Sequence, residues 1–190
     1  MMKFASLFSP AAALMAIASA AQAEESVDLK VGDDAPAFEA KTDSDDAWNS
    51  KDFADKTLVV YFYPAAMTGG CTKQACAYRD DRETLVAKGV EVVGVSGDFV
   101  PALALFKKAE DLNFTLLSDP DGAVAKKFGV PTGKGGKIER EVYGASHTLE
   151  RGVTSKRWTF VIQDGKIVYK NSQVNAAGDS KAILTFLDKQ

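Results

Sequence analysis

The sequence predicts a single α/β domain: a central mixed sheet flanked by helices, carried behind an N-terminal extension. Three observations predict it. Leu58-Val-Val-Tyr-Phe-Tyr63 and Val90-Glu-Val-Val-Gly-Val-Ser96 are nearly continuous apolar runs, the composition of strands buried on both faces. Each is followed by a stretch whose apolar residues recur at helical spacing. Near the C-terminus, Trp158–Ile162 and Lys166–Tyr169 flank Asp164-Gly165, a strong signal for an antiparallel hairpin.

The chain opens on a segment read as lying outside the fold. Lys3 supplies a positive start, Ala11 to Ala18 is an unbroken apolar run, and Ala21-Gln22-Ala23 is a small-x-small cleavage signal. That is the layout of a secretory leader covering residues 1–23, too short in its apolar part for the roughly 20 residues that span a bilayer. The chain is then expected to be exported, to the periplasm in a Gram-negative cell. Cleavage after residue 23 leaves 167 of the 190 residues, enough for one domain, 24–190, with a real core. Losing Lys3 shifts the formal net charge from −3 to −4. Its basic residues are scattered and form no patch, which argues against nucleic acid and anionic lipid as partners. No later run is apolar enough to span a membrane.

In order, Val27 to Lys41 reads as an irregular entry with Ala35-Pro36-Ala37-Phe38 extended, and Asp43 to Asp46 as a polar turn. The run from Leu58 is the first buried strand. A helix is expected to start around Cys71 and run to Lys88-Gly89, a basic last turn with a glycine stop. After the strand Val90–Ser96, Asp98 is read as the cap of a helix reaching about Glu110. Phe114–Leu117 is a short strand, Ser118-Asp-Pro-Asp-Gly122 a turn, and Ala123–Phe128 a short helix. Pro131 to Val153, rich in Gly and charge, reads as the least ordered part of the chain. The hairpin and an amphipathic helix, Ser180–Leu187, close the chain. Parallel strands joined by helices, then an antiparallel hairpin and a final helix, make up the thioredoxin-like architecture.

The only two cysteines, Cys71 and Cys76, stand where a strand and a tight loop lead into a helix. A thiol in the first helical turn meets unpaired N–H groups and the positive end of the helix dipole, which favour the thiolate. Thr68 brings a hydroxyl that both donates and accepts. Pro64 ends the strand with no N–H to offer, and Gly69-Gly70 lets backbone approach whatever sits on the sulfur. A structural disulfide is the plain alternative in an exported chain, but a bridge between these two would close a very short loop, where stabilisation is smallest.

Pro64-x-x-x-Thr68-x-x-Cys71 resembles the active-site loop of the peroxiredoxins. Cys71-Thr-Lys-Gln-Ala-Cys76 followed by Tyr78-Arg79-Asp80 is similar to the branch called peroxiredoxin Q or bacterioferritin comigratory protein. Ala35-Pro36-x-Phe38, Gly94-Val-Ser96-x-Asp98, Leu117 to Gly122 and Arg157-x-Thr-Phe160 extend the likeness over most of the chain. The resemblance implies a thiol-dependent peroxidase with no cofactor and no metal. Cys71 would attack the peroxide and become a sulfenic acid, and Cys76 would resolve it as a disulfide. Thr68 would orient the peroxide, Pro64 shield the site, and Arg157 polarise the peroxide beside Cys71, steadied by Gln74. The implied partners are a peroxide and a thioredoxin-like reductant, and the implied state is a monomer or weak dimer. Arg151 and Lys156 compete with Arg157 for the cationic role.

Two cysteines five apart on an intact helix are turned about 140° from each other, with Cα atoms about 8–9 Å apart, whereas a disulfide needs less than about 7 Å. The first turns must therefore unwind in each cycle. Ala65-Ala66-Met67, where relatives carry charge, is expected to make an apolar rim suited to organic hydroperoxides. His147 is expected at the surface in a variable loop, and Trp48 and Trp158 in the core or a lid. Three rival readings remain. A thiol–disulfide oxidoreductase would use Cys-x-x-Cys, and for a copper-binding protein of the same fold the cysteines stand one residue too far apart. An inert structural or binding domain leaves the joint placement of Pro64, Thr68, Cys71 and Arg157 unexplained.

Overall fold

The computed structural model describes residues 27–190. The leader reading falls on residues outside that range. The core is a seven-stranded mixed sheet. Its strands are β1 (Glu39–Thr42), β2 (Ala47–Asn49), β3 (Thr57–Phe62), β4 (Val90–Ser96), β5 (Thr115–Ser118), β8 (Trp158–Gln163) and β9 (Lys166–Asn171), in the order β2-β1-β5-β4-β3-β8-β9. β3, β4 and β5 run parallel, while β8 and β9 are antiparallel. The mixed sheet expected from the sequence is the one observed.

Alternation along β3 divides the core in two. Val59, Tyr61 and Tyr63 face the helices α1 (Gly69–Asp80), α2 (Arg82–Ala87), α3 (Val100–Ala109) and α5 (Asp179–Leu187). Leu58, Val60 and Phe62 face α4 (Ala123–Lys127) and the aromatic cluster of Phe38, Trp48 and Phe128. Trp48 is a core residue, stacked on Phe53. Trp158 is half-buried, with the Lys170 ammonium 4.7 Å from the centre of its ring.

Four expectations need correction. The entry segment and polar turn contain a real hairpin: β1 and β2 pair antiparallel and join the sheet beside β5. Buried Asp43 pins this edge, accepting from the Leu116 N–H at 3.0 Å and from Lys107 Nζ at 2.8 Å. The helix after Cys71 is two helices, broken at Asp81, whose carboxylate accepts from the Ser180 hydroxyl and the Lys181 ammonium at the start of α5. Asp98 does not cap α3. Phe99 occupies the cap position, and Asp98 is buried with its carboxylate turned toward the loop after β3.

The largest correction concerns Pro131 to Val153. It is an ordered antiparallel hairpin, β6 (Thr132–Val142) with β7 (Ala145–Ser155), paired from Thr132↔Ser155 to Val142↔Ala145. Tyr143 and Gly144, both with positive φ, make its two-residue turn. Leu149 is fully packed into the core, Val142 is buried and Ile138 packs against the same cluster. The hairpin also closes on the end of β4: the Gly152 N–H donates to Gly97 O at 2.9 Å, and a Cβ at Gly97 would sit 2.1 Å from Val153 O. Only glycine permits that approach. His147 lies on β7, half-buried opposite Arg140, and not in a loop.

Candidate active site

The loop after β3 is held from below. Asp98 Oδ2 accepts from the Ala66 N–H and from the Ser96 hydroxyl, both at 2.8 Å. Burial pushes the Asp98 carboxyl above its usual value, while these donors and the nearby Arg151 charge oppose the shift. Ala65 and Ala66 are buried under the loop, so they do not form the apolar rim expected of them; Met67 alone is partly exposed. Met67 has a positive φ of 55°, and its carbonyl accepts from Arg140 Nε of β6 at 3.0 Å. The hairpin thus grips the loop at its tightest point.

Thr68 occupies the N-cap position of α1 with extended backbone, and its carbonyl accepts the Thr72 N–H at 2.8 Å. Its hydroxyl donates to Ala65 O at 2.9 Å rather than capping the helix. The hydroxyl proton is therefore committed, and the oxygen lone pairs are left to accept from a bound molecule. Cys71 lies in the first turn of α1, 1% exposed.

Arg157, the residue just before β8, reaches across from the sheet. Its Nη2 lies 3.1 Å from Cys71 Sγ and its Nη1 donates to Gln74 Oε1. A guanidinium this close to the sulfur stabilises negative charge there and disfavours a metal cation. Arg151 points elsewhere: its Nε donates to Thr154 Oγ1 at 2.9 Å. Lys156 is exposed. Pro64 is half-buried at the end of β3.

Behind Gln74 stands a residue that sequence reasoning missed. Asp179 Oδ2 accepts from Gln74 Nε2 at 2.7 Å, the Tyr78 hydroxyl at 2.7 Å and the Thr159 hydroxyl at 2.8 Å. The order of contacts is Asp179, Gln74, Arg157, Cys71. Burial pushes the Asp179 carboxyl up, opposed by the three donors and by Arg157. An aspartate opening the last helix resembles an ordinary helix start, so the sequence held no signal for this role.

Cys76 is on the same helix but faces away. Its thiol lies 3.7 Å from Glu110 Oε2, at the end of α3, and both cysteines are free. Partial burial pushes the Cys76 thiol up; Arg79 opposes this and the Glu110 carboxylate adds to it. Among the described residues, no group of three or more His, Cys, Asp or Glu side chains is placed to hold a metal ion. No described helix is long and apolar enough to cross a membrane.

Comparison with known proteins adds independent findings. Residues 31–170 match the AhpC/TSA family. A putative peroxiredoxin of Mycobacterium tuberculosis is 42% identical over 151 residues, 79% of this chain and 89% of the relative. Peroxiredoxin Bcp of Escherichia coli is 48% identical over 102 residues, 54% of this chain and 65% of the relative. Among solved structures, peroxidoxin BcpB from M. tuberculosis superposes with a TM-score of 0.71 at 32% identity, covering 85% of this chain and 98% of the other. A Xanthomonas campestris bacterioferritin comigratory protein, described as having alkyl peroxide reduction activity, gives 0.65 at 26% identity, covering 80% and 90%.

Proposed function

The chain belongs to the AhpC/TSA family and is a thiol-dependent peroxidase, an oxidoreductase of the peroxiredoxin type, and from that premise we propose a division of labour among its residues. The observation that carries it is the Arg157 guanidinium 3.1 Å from the Cys71 sulfur at a helix start. The Cys71 thiolate attacks one peroxide oxygen. The O–O bond breaks, the other oxygen leaves as an alcohol or water after taking a proton, and Cys71 becomes a sulfenic acid, oxidised by two electrons. Arg157 stabilises the charge that shifts onto the departing oxygen, and the Thr68 oxygen accepts from the bound hydroperoxide. Pro64 limits water at the sulfur.

Cys76 then condenses with the sulfenic acid to give a disulfide and water, and a thioredoxin-like dithiol reduces the disulfide. Because α1 is intact with the two thiols on different faces, its first turns open for this step. The leader pattern at residues 1–23 supports a place outside the cytoplasm, with a donor in the same compartment. The alkyl peroxide activity of the Xanthomonas relative makes organic hydroperoxides the substrates to compare with hydrogen peroxide. Metal binding is the poorer reading, because one thiol faces a guanidinium and the other a carboxylate.

The test is single-turnover peroxide consumption by the reduced protein. Cys71→Ser should abolish it. Cys76→Ser should consume one equivalent and retain a sulfenic acid that dimedone traps. Turnover in Cys71→Ser, or a disulfide in Cys76→Ser, refutes the assignment.

A further inference from the structure

Taking Cys76 as the resolving thiol, as above, we propose that Glu110 is the positioning residue of the disulfide-forming step: its carboxylate holds Cys76 on the closed α1 and so sets how readily the thiol is released. Three contacts join the C-terminal half of α1 to the end of α3 and the segment that follows it. Cys76 Sγ donates to Glu110 Oε2 at 3.7 Å, Arg79 Nη1 donates to Glu110 O at 2.6 Å, and Asn113 Nδ2 donates to Arg79 O at 3.2 Å. The backbone of Glu110 is itself fixed, its N–H donating to Phe106 O and the next residue, Asp111, turning left-handed at φ 50°. Only the first of these contacts involves a group that must leave. The other two lie beyond Cys76 and keep the end of the helix in place while the turns from Gly69 to Cys76 open.

The charged and titratable groups facing Cys76 are Arg79 and Asp80 on its own helix, Glu110 from α3 and buried Tyr61 from β3. Of these, Glu110 is the one that accepts the thiol proton as a hydrogen bond. A thiol held this way is a poor nucleophile, since the thiolate is the reactive form. When the helix opens, the Cys76 sulfur bonds to the Cys71 sulfur. The thiol proton and the sulfenic hydroxyl leave together as water, with Cys76 oxidised and Cys71 reduced by one electron each.

Glu110→Gln keeps the size and removes the charge. In a Cys71→Ser background, Cys76 is the sole thiol, and its alkylation rate against pH should show a lower midpoint once Glu110 is replaced. In the protein with both cysteines, rapid mixing with peroxide should show an unchanged Cys71 oxidation phase and a disulfide phase about fivefold faster, the effect of exchanging a charged acceptor for a neutral one. An unmoved midpoint, or a disulfide phase that is unchanged or slower, overturns the role given to Glu110. If Cys76→Ser keeps the slow phase, the failure lies instead in taking Cys76 as the resolving thiol.

Discussion

Replacing Asp179 by Asn removes one charge and leaves an oxygen of similar size in the same buried place. Three donors, Gln74, Tyr78 and Thr159, converge on that oxygen at 2.7–2.8 Å. A hydrogen bond to a charged acceptor is worth about 1 kcal/mol more than one to a neutral acceptor, so about 3 kcal/mol is at stake across the three. Burial has already pushed this carboxyl up, so part of the loss is returned when the charge no longer has to be desolvated. A net destabilisation of about 1–2 kcal/mol follows, small enough for the variant to fold. The effect on chemistry comes through Gln74. A neutral amide oxygen holds the Gln74 NH2 more weakly than the carboxylate does, Gln74 then shifts, and Arg157 loses the partner that aims it at Cys71. Losing about 1.4 kcal/mol of oriented interaction with the reacting atoms slows peroxide attack about tenfold. Stopped-flow rates of Cys71 oxidation, with urea unfolding alongside, measure both quantities. Adding Gln74→Ala should then cost little more, because both changes break one series of contacts. A Cys71 oxidation rate within about twofold of wild type, despite a lowered urea midpoint, would show that Asp179 supports the fold and not Arg157.

Arg157→Ala should slow Cys71 oxidation by about 100-fold or more, the usual loss when a donor to developing charge is removed, while Arg151→Ala, whose guanidinium bonds Thr154, should leave it nearly unchanged. Equal losses would refute the choice of Arg157. In the reduced protein, amides from Thr72 to Cys76 should be protected from hydrogen exchange, and in the disulfide form they should exchange freely; a disulfide formed with α1 still helical by NMR contradicts the required opening. Asp119 gives a pH signature. Burial pushes its carboxyl up to about 6 from 3.8, so between those values the folded chain keeps a proton that the unfolded chain has released. Its contribution to stability is full below about pH 4 and is lost as the pH rises through about 6. Urea unfolding free energies should fall over that interval more steeply in wild type than in Asp119→Asn, and parallel curves would count against it.

Local composition made the sheet readable. β3 and β4 are apolar runs whose burial follows from their own residues, and the Asp164-Gly165 turn announces β8 and β9. What stayed hidden depends on distant partners. The break at Asp81 is fixed by Ser180 and Lys181, a hundred residues away, and Asp98 looks like a cap until Ala66 is seen above it. The long hairpin did leave a trace. Lys137-Ile-Glu-Arg-Glu-Val142 alternates outward and inward before Tyr143-Gly144, but its glycines and charges hid a period of two. For the proposed site, the linear motif led to Cys71 and Cys76, and Arg157 came from a second motif. The supports behind them, Asp179 and Glu110, belong to α5 and to the end of α3, where nothing local distinguishes them from ordinary helix ends.

Because Thr132 and Ser155 are partners in the hairpin ladder, the chain leaves the seven-stranded sheet and returns to it at neighbouring points. The excursion between them is therefore closed geometrically, like a side road that rejoins the main one where it began. Arg157, two residues past the return, inherits its position from the base of that excursion and not from its length. Removing whole cross-strand pairs near the tip would shorten the hairpin without moving the guanidinium. Deleting a single residue from one strand would slip the register and turn Arg140 away from Met67. The number of residues separating the cysteine loop from its arginine can thus change without moving the arginine, provided it changes in whole cross-strand pairs and spares buried Val142 and the Arg140 contact.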